Sequence, residues 1–462
     1  MSKRGIATLF DARTWNPVRT SVVPAQDKAK SVSSTPFGSL LIVLNDGTPV
    51  QEQMLAHGAQ NIVATKPAEV TVWYATNRIR LDTAASFLNR WWMTIARIDY
   101  LIAMAACFLV CIVMVIVRPL RRYSLVPLVG LPAFLVLAAV SVAFQSSKAT
   151  SVPGSALSND VSEGISWGRC LVSVPSSREA LGEVPAPADP LGFGGDADPG
   201  KHFILVSENP RTADQVANEI KSIESPDPPE EILLFVHGFN VPFEAVAKRT
   251  AQLKLDLRID GPAFFFSWPS YGREALYTWD EDNAEASDMA FETMLRELSK
   301  RYPDSKMHIL AHSMGTRIVM EALCRIHRQT TGDHPRVDSL VLAAPDIDRR
   351  QFKIKMAEIV KKTNFPVTLY ASSKDWALRF SYVANKNDRL GHTQPELVIS
   401  EGMESIDASR IDTDFLGHGY YGDERELLGD LHQLFKDKRF ADKRFGLRLV
   451  EDGEKRWWVL LP

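Results

Sequence analysis

The stretch KMHILAHSMGTRI at 306–318 holds a residue on which hydrolytic chemistry can be built. An apolar run at 307–311 ends two residues before a serine, and Ile318, Val319, Ala322, Leu323 and Ile326 then recur at helical spacing. This order predicts a strand, a sharp turn and a helix. A serine at such a turn is held above the carboxyl end of a sheet, and the helix opening there points amide donors at the same place. Ser313 is the expected nucleophile. The short pattern is common in chains of this length, so its weight comes from the flanking elements and from partners further along.

A serine hydroxyl is a weak nucleophile at neutral pH and needs a base within hydrogen-bond reach, itself oriented by an acid. Along the chain the acid and then the histidine are expected after the serine. The histidines that follow are His327, His334, His392, His418 and His432. His327 and His334 come before the expected acid, and His432 falls in a helical pattern, where a surface position is expected. His392 sits in a polar turn, whereas His418 sits in the glycine-flanked loop GHGYY, between a last strand and a terminal helix. His418 is the expected base, with His392 as the alternative. Two acids stand at strand ends, Asp375 after VTLYAS and Asp346 after LVLAAP. The commoner arrangement favours Asp375, and Asp346 remains the alternative.

Charge developing on a substrate oxygen needs fixed donors. One is the backbone N–H of Met314, and the second is expected from the loop after ILLFV, which reads His237-Gly238-Phe239-Asn240. The donor there is the N–H of Phe239 or Asn240. The sequence shows no metal-ligand cluster and no cofactor motif, and none is expected.

The elements needed to hold these groups are legible. Strands are expected at 70–74, 167–174, 203–206, 232–236, 263–267, 307–311, 340–343, 367–371 and 403–408, with helical patterns between most of the later ones. Apolar runs separated by helices point to an α/β fold with a mostly parallel sheet covered on both faces. Residues 1–66 read as a largely disordered tail, with a peripheral strand at 40–44.

Two uncharged runs, 100–117 and 124–144, each have the length to cross a bilayer core roughly 30 Å thick. Arg118, Arg121 and Arg122 lie between them. A two-helix transmembrane hairpin over 99–145 is therefore expected, and an even number of spans returns the chain to one sheet. The division is then a tail at 1–66, a first strand region at 67–98, the hairpin at 99–145, a linker at 146–165 and a catalytic domain at 166–462. The arginine loop by itself favours the cytoplasm for the loop. Arg78, Arg80, Arg90, Arg97 and Lys148 on the opposite flanks, and a long tail without a signal peptide, favour a cytoplasmic catalytic unit at the cell membrane, which is the expectation.

At 462 residues and a net charge of -3 with both signs interspersed, the chain has no basic block of the kind that binds nucleic acid. Four cysteines, two of them in an apolar run, form neither a disulfide framework nor a metal motif.

The segments VWYATNR, WGRCLVSVP, LLFVHGFN, FFFSWPS, ILAHSMG, LAAPDID, YASSKDWAL and GHGYY together resemble the α/β hydrolase superfamily, and more narrowly a bacterial group of uncharacterised esterase/lipase-like proteins. The resemblance implies a serine hydrolase with Ser313, an acid and His418. Ala311 departs from it by replacing the first glycine of GxSxG, and the apolar insertion lies inside the matched region. The expectation is a membrane-anchored hydrolase of carboxylic esters acting on a small-molecule or lipid-like ester. The alternatives are a non-catalytic membrane scaffold and an acyltransferase using the same triad. Trp268, Tyr271, Trp376, Phe380 and Tyr420 are candidates for an acyl pocket, or else core aromatics.

Overall fold

Strands that are apolar on both faces must be covered from both sides, and helices between them provide the cover. The computed structural model describes residues 5–10, 17–23, 29–34, 40–44, 68–80, 157–175, 184, 198, 200–224, 227–271, 277–329, 334–374, 387–411 and 424–462. Two antiparallel hairpins come first, β1 (Gly5–Phe10) with β2 (Pro17–Val23) and β3 (Ala29–Ser34) with β4 (Leu40–Leu44). The span expected as a disordered tail therefore contains four strands. Short β-branched runs such as those ending β2 pair locally even in polar surroundings.

An eleven-stranded sheet follows, built from β5 (Ala68–Arg80), β6 (Leu157–Val174), β7 (Ile204–Arg211), β8 (Glu231–Val236), β9 (Ala263–Ser267), β10 (Lys306–His312), β11 (Ser339–Ala343), β12 (Val367–Ala371), β13 (Met403–Asp407), β14 (Leu447–Asp452) and β15 (Lys455–Leu460). Its spatial order is β14-β15-β13-β12-β11-β10-β8-β9-β5-β6-β7. Every pairing from β5 across to β15 is parallel, while β6, β7 and β14 add antiparallel strands at the two edges.

The helices are α1 (Ala213–Ile223), α2 (Phe243–Asp256), α3 (Tyr277–Glu285), α4 (Asp288–Arg301), α5 (Gly315–Arg328), α6 (Arg349–Gln351), α7 (Ala357–Lys362) and α8 (Glu424–Phe435), with one π-helical turn, Phe352–Met356, joining α6 to α7. On one face Ile232, Leu234, Val236, Ile309 and Ala311 pack with residues of α1, α4, α5 and α7. On the other, Leu233, Phe235, Phe265, Leu310 and Val341 pack with α2 and α8. Alternate residues of one strand thus enter two separate cores, as the period of a strand requires.

Several elements differ from expectation, among them β7, which runs from Ile204 to Arg211 rather than over 203–206. β5 runs to Arg80 rather than ending at 74, because Arg78 is buried and its guanidinium donates to Ser267 Oγ, Ser158 O, Asn159 Oδ1 and Ser270 O. The linker expected over 146–165 overlaps β6, which starts at Leu157; Leu157, Ser158 and Asn159 are buried beside Arg78. The hairpin β14–β15, turning at Gly453 with φ 60, was not anticipated, although Asp452-Gly453 is a strong hairpin signal. No helix among the described residues is long and apolar enough to cross a membrane. The runs at 100–117 and 124–144, and the hairpin expected over 99–145, lie outside those residues.

Candidate active site

Ser313 stands between β10 and α5 with φ 49, a left-handed conformation that a residue with a Cβ adopts at a cost of about 1–3 kcal/mol. The turn is held from several sides. Ser313 N–H donates to Ala343 O at 2.9 Å, and Ser313 O accepts from Asp346 N–H at 3.2 Å and from the Thr316 hydroxyl at 2.5 Å. Gly315 lets the helix start close against β8: a Cβ there would lie 2.3 Å from His237 O. Arg325 and Arg328 occupy the last turn of α5, where positive charge complements the helix dipole. Among the described residues no hydrogen bond engages Ser313 Oγ.

The loop 237–241 lies directly against this turn. A Cβ on Gly238 would stand 2.8 Å from Ser313 Cβ and 2.8 Å from His312 Nδ1, so glycine is what allows the approach. His237 Nδ1 lies 2.9 Å from Gly238 O and its ring stacks on Trp268 at 5.0 Å, with Trp268 Nε1 donating to His237 O at 2.8 Å. Burial holds the His237 imidazole neutral, its pKa lowered to about 3. With its proton on Nδ1, His237 donates to Gly238 O and fixes the Gly238–Phe239 peptide plane. The Phe239 N–H must then point the opposite way.

Asn240 has φ 62, and its N–H donates to Asp280 Oδ2 at 3.4 Å. Asp280 also accepts from Ser270 Oγ at 2.6 Å and Tyr271 N–H at 2.8 Å, and Ser270 Oγ accepts from Val241 N–H at 3.2 Å. Burial raises the Asp280 carboxyl to about 6 against these hydrogen bonds and the charge of Arg78. The far side of the loop is thus anchored to α3 and to the end of β9. Asp280, Ser270 and Arg78 were not anticipated as parts of the site. The one signal for Arg78 was a lone arginine within the apolar strand VTVWYATNR.

Asp346 lies on the other side of the serine. Its carboxylate accepts from Tyr277 Oη at 2.6 Å, pairs with Arg317 at 3.2 Å and with Arg389 at 3.1 Å, and is 1 % exposed. Tyr277 also packs edge-on against Phe239 at 5.2 Å, linking the two halves of the site. Asp348, the neighbouring acid, caps α6 by accepting from Arg350 and Gln351 N–H, which lowers its pKa. Asp375, the favoured acid, and His418, the expected base, lie outside the described residues, as do Trp376, Phe380 and Tyr420.

Other sequence candidates are placed directly. His392 sits in a turn whose Gly391 N–H and O bind Pro345 O and Ser372 N–H, with Nδ1 3.1 Å from Gln394 O. His432, expected on the surface, is half-buried on α8 with Nδ1 3.2 Å from Leu257 O; it faces the core formed with α2. Trp268 is fully buried beneath the loop and belongs to the core, while Tyr271 stacks edge-on with Trp279 at 6.2 Å. Among the described residues no group of three or more His, Cys, Asp or Glu is placed to hold a metal ion.

Residues 212–438 match the family described as alpha/beta hydrolase of unknown function (DUF900). The uncharacterized protein alr1448 of Nostoc sp. is 27 % identical over an alignment that covers 26 % of this chain and 44 % of that protein. The chain therefore spans less than half the length of that curated relative. Among solved structures, an uncharacterized protein from Bacillus cereus aligns at 13 % identity and a TM-score of 0.31, over 49 % of this chain and 68 % of that one. Esterase 2 of Thermogutta terrifontis aligns at 10 % identity and 0.28, over 46 % and 83 %, and carboxylesterase CesB of Bacillus subtilis at 12 % and 0.26, over 47 % and 87 %.

Proposed function

We propose that the chain, whose residues 212–438 match a family described as alpha/beta hydrolase of unknown function, is a membrane-anchored serine hydrolase that cleaves carboxylic esters through an acyl-serine intermediate. The observation that carries this reading is the Ser313 turn: a left-handed serine between strand and helix, with the backbone of Gly238 packed against its Cβ.

In this reading Ser313 Oγ attacks the ester carbonyl while His418 takes its proton. Asp375 holds the imidazole, while the Asp346 carboxylate pairs with Arg317, Arg389 and Tyr277. The oxyanion is received by the N–H of Met314 and the N–H of Phe239. Of the two loop donors Phe239 is preferred, since the Asn240 N–H faces Asp280 and the His237 contact to Gly238 O fixes the Phe239 peptide plane. Collapse breaks the bond to the alcohol oxygen, which leaves with the proton from His418. Water then attacks the acyl-serine by the same route in reverse. The anchor is the apolar pair of runs within 99–145.

A fluorophosphonate probe tests the reading, since it reacts with an activated serine whatever the natural substrate. The wild-type chain labels and Ser313→Ala does not; an unlabelled wild type assigns the fold to a non-catalytic scaffold. Product analysis with added alcohols separates hydrolysis from acyl transfer.

A further inference from the structure

We propose that the catalytic edge of the sheet faces the bilayer, so that the ester is a membrane lipid delivered from the bilayer surface; this rests on the hydrolase and anchor readings above. The topology of the described strands carries the inference. β5 is parallel to β9, β9 to β8 and β8 to β10, so the carboxyl end of β5 lies at the same edge as the Ser313 turn and the loop 237–241. β6 is antiparallel to β5, and its first residue, Leu157, pairs with Arg80, the last of β5. The chain between them, residues 81–156, therefore leaves and re-enters at the catalytic edge, and it contains both apolar runs.

The connecting lengths limit the geometry. The second run ends at Phe144, twelve residues before β6 begins, and twelve residues reach at most about 40 Å when fully extended. An anchor in the membrane is thus tied to this edge of the sheet by a short connection. Arg90, Arg97 and Lys148 flank the apolar runs in the sequence.

The surface at that edge fits the placement. Ile79 near the end of β5 is 40 % exposed, Trp279 on α3 51 % and Met289 at the start of α4 68 %. Trp279 packs edge-on against Tyr271, four residues past the end of β9. Met289 follows Ser287, whose hydroxyl accepts from Asn77 of β5 at 2.9 Å. An exposed tryptophan beside aliphatic side chains suits the membrane–water interface, where an amphipathic ring sits at headgroup level.

The test uses the full chain in phosphatidylcholine vesicles carrying a headgroup spin label. Fluorophores are attached to Trp279→Cys, to Met289→Cys and, as a control, to Asp304→Cys, an exposed site before the amino end of β10. Loss of most of the fluorescence at 279 and 289 but not at 304 is the expected result. Quenching at 304 instead, or at none of the three, overturns the proposal. The readout does not depend on activity: a chain that labels with fluorophosphonate yet shows the wrong quenching pattern loses the orientation but keeps the hydrolase. A chain that does not co-sediment with vesicles loses the anchor and the orientation together.

Discussion

Ser313 sits in a backbone conformation that side chains avoid, held by Gly238 close against its Cβ and by the Thr316 hydroxyl on its carbonyl. If it is the nucleophile, Ser313→Ala lowers kcat by about 10⁴- to 10⁶-fold with the melting temperature unchanged or raised, because the substitution removes no described hydrogen bond of the side chain. The two candidate acids separate by the kind of damage. Asp375→Asn is expected to lower kcat by about 10³- to 10⁴-fold with little effect on stability. Asp346→Asn removes a buried carboxylate that pairs with both Arg389 and Arg317, the latter keeping Glu281, and is expected to cost about 3 kcal/mol of stability in denaturant titrations. A stable Asp346→Asn enzyme with the larger kcat loss would reverse the assignment.

At the level of elements, the site is two turns forced together. Gly238 belongs to the turn after β8 and Ser313 to the turn after β10, adjacent parallel strands whose ends come into register at Val236 and Ala311. Gly238→Ala puts a methyl group against Ser313 Cβ, and a displacement of the serine is expected to lower kcat by about 10²-fold with KM little changed. Gly315→Ala drives a methyl group into the backbone oxygen of His237, which has no room to move. Its expected effect is therefore a stability loss of about 1–3 kcal/mol, seen as a lower urea midpoint. These strands and helices were legible because each has a clear apolar period. The loop anchor was not: Asp280 and Ser270 lie ten residues apart, in segments without periodicity, and are joined to Asn240 and Val241 only by folding.

For the molecule as a whole, buried titratable groups set the response to acid. Burial lowers His237 and His312 to about 3 and His308 to about 4, from an ordinary value of 6.5. Unfolding lets all three take up protons below that value, so their contribution to stability is full at neutral pH and is lost as pH falls from 6.5 towards 4. Asp280 and Asp430, raised by burial to about 6 from 3.8, act in the opposite sense: they release protons on unfolding, and their contribution is lost as pH rises through 6. Near pH 5 these three uptakes exceed the two releases, and His432, also lowered by burial, adds to them, so stability falls on acidification. Urea unfolding at pH 7, 6 and 5 measures this slope, and a stability that rises towards pH 5 would contradict it.

The sequence by itself determined the alternation of strands and helices and the turn that carries Ser313, because apolar period and turn chemistry are local properties. It also marked the two apolar runs, since span length is a property of composition. Only the tertiary structure decided that Asp346 pairs with two arginines and a tyrosine, that Asn240 is turned towards Asp280, and that β5 ends and β6 begins at the edge of the sheet that carries Ser313. Each of those depends on which strands are neighbours and in which direction they run, and hydrogen bonds between segments far apart in the chain leave no trace in local pattern.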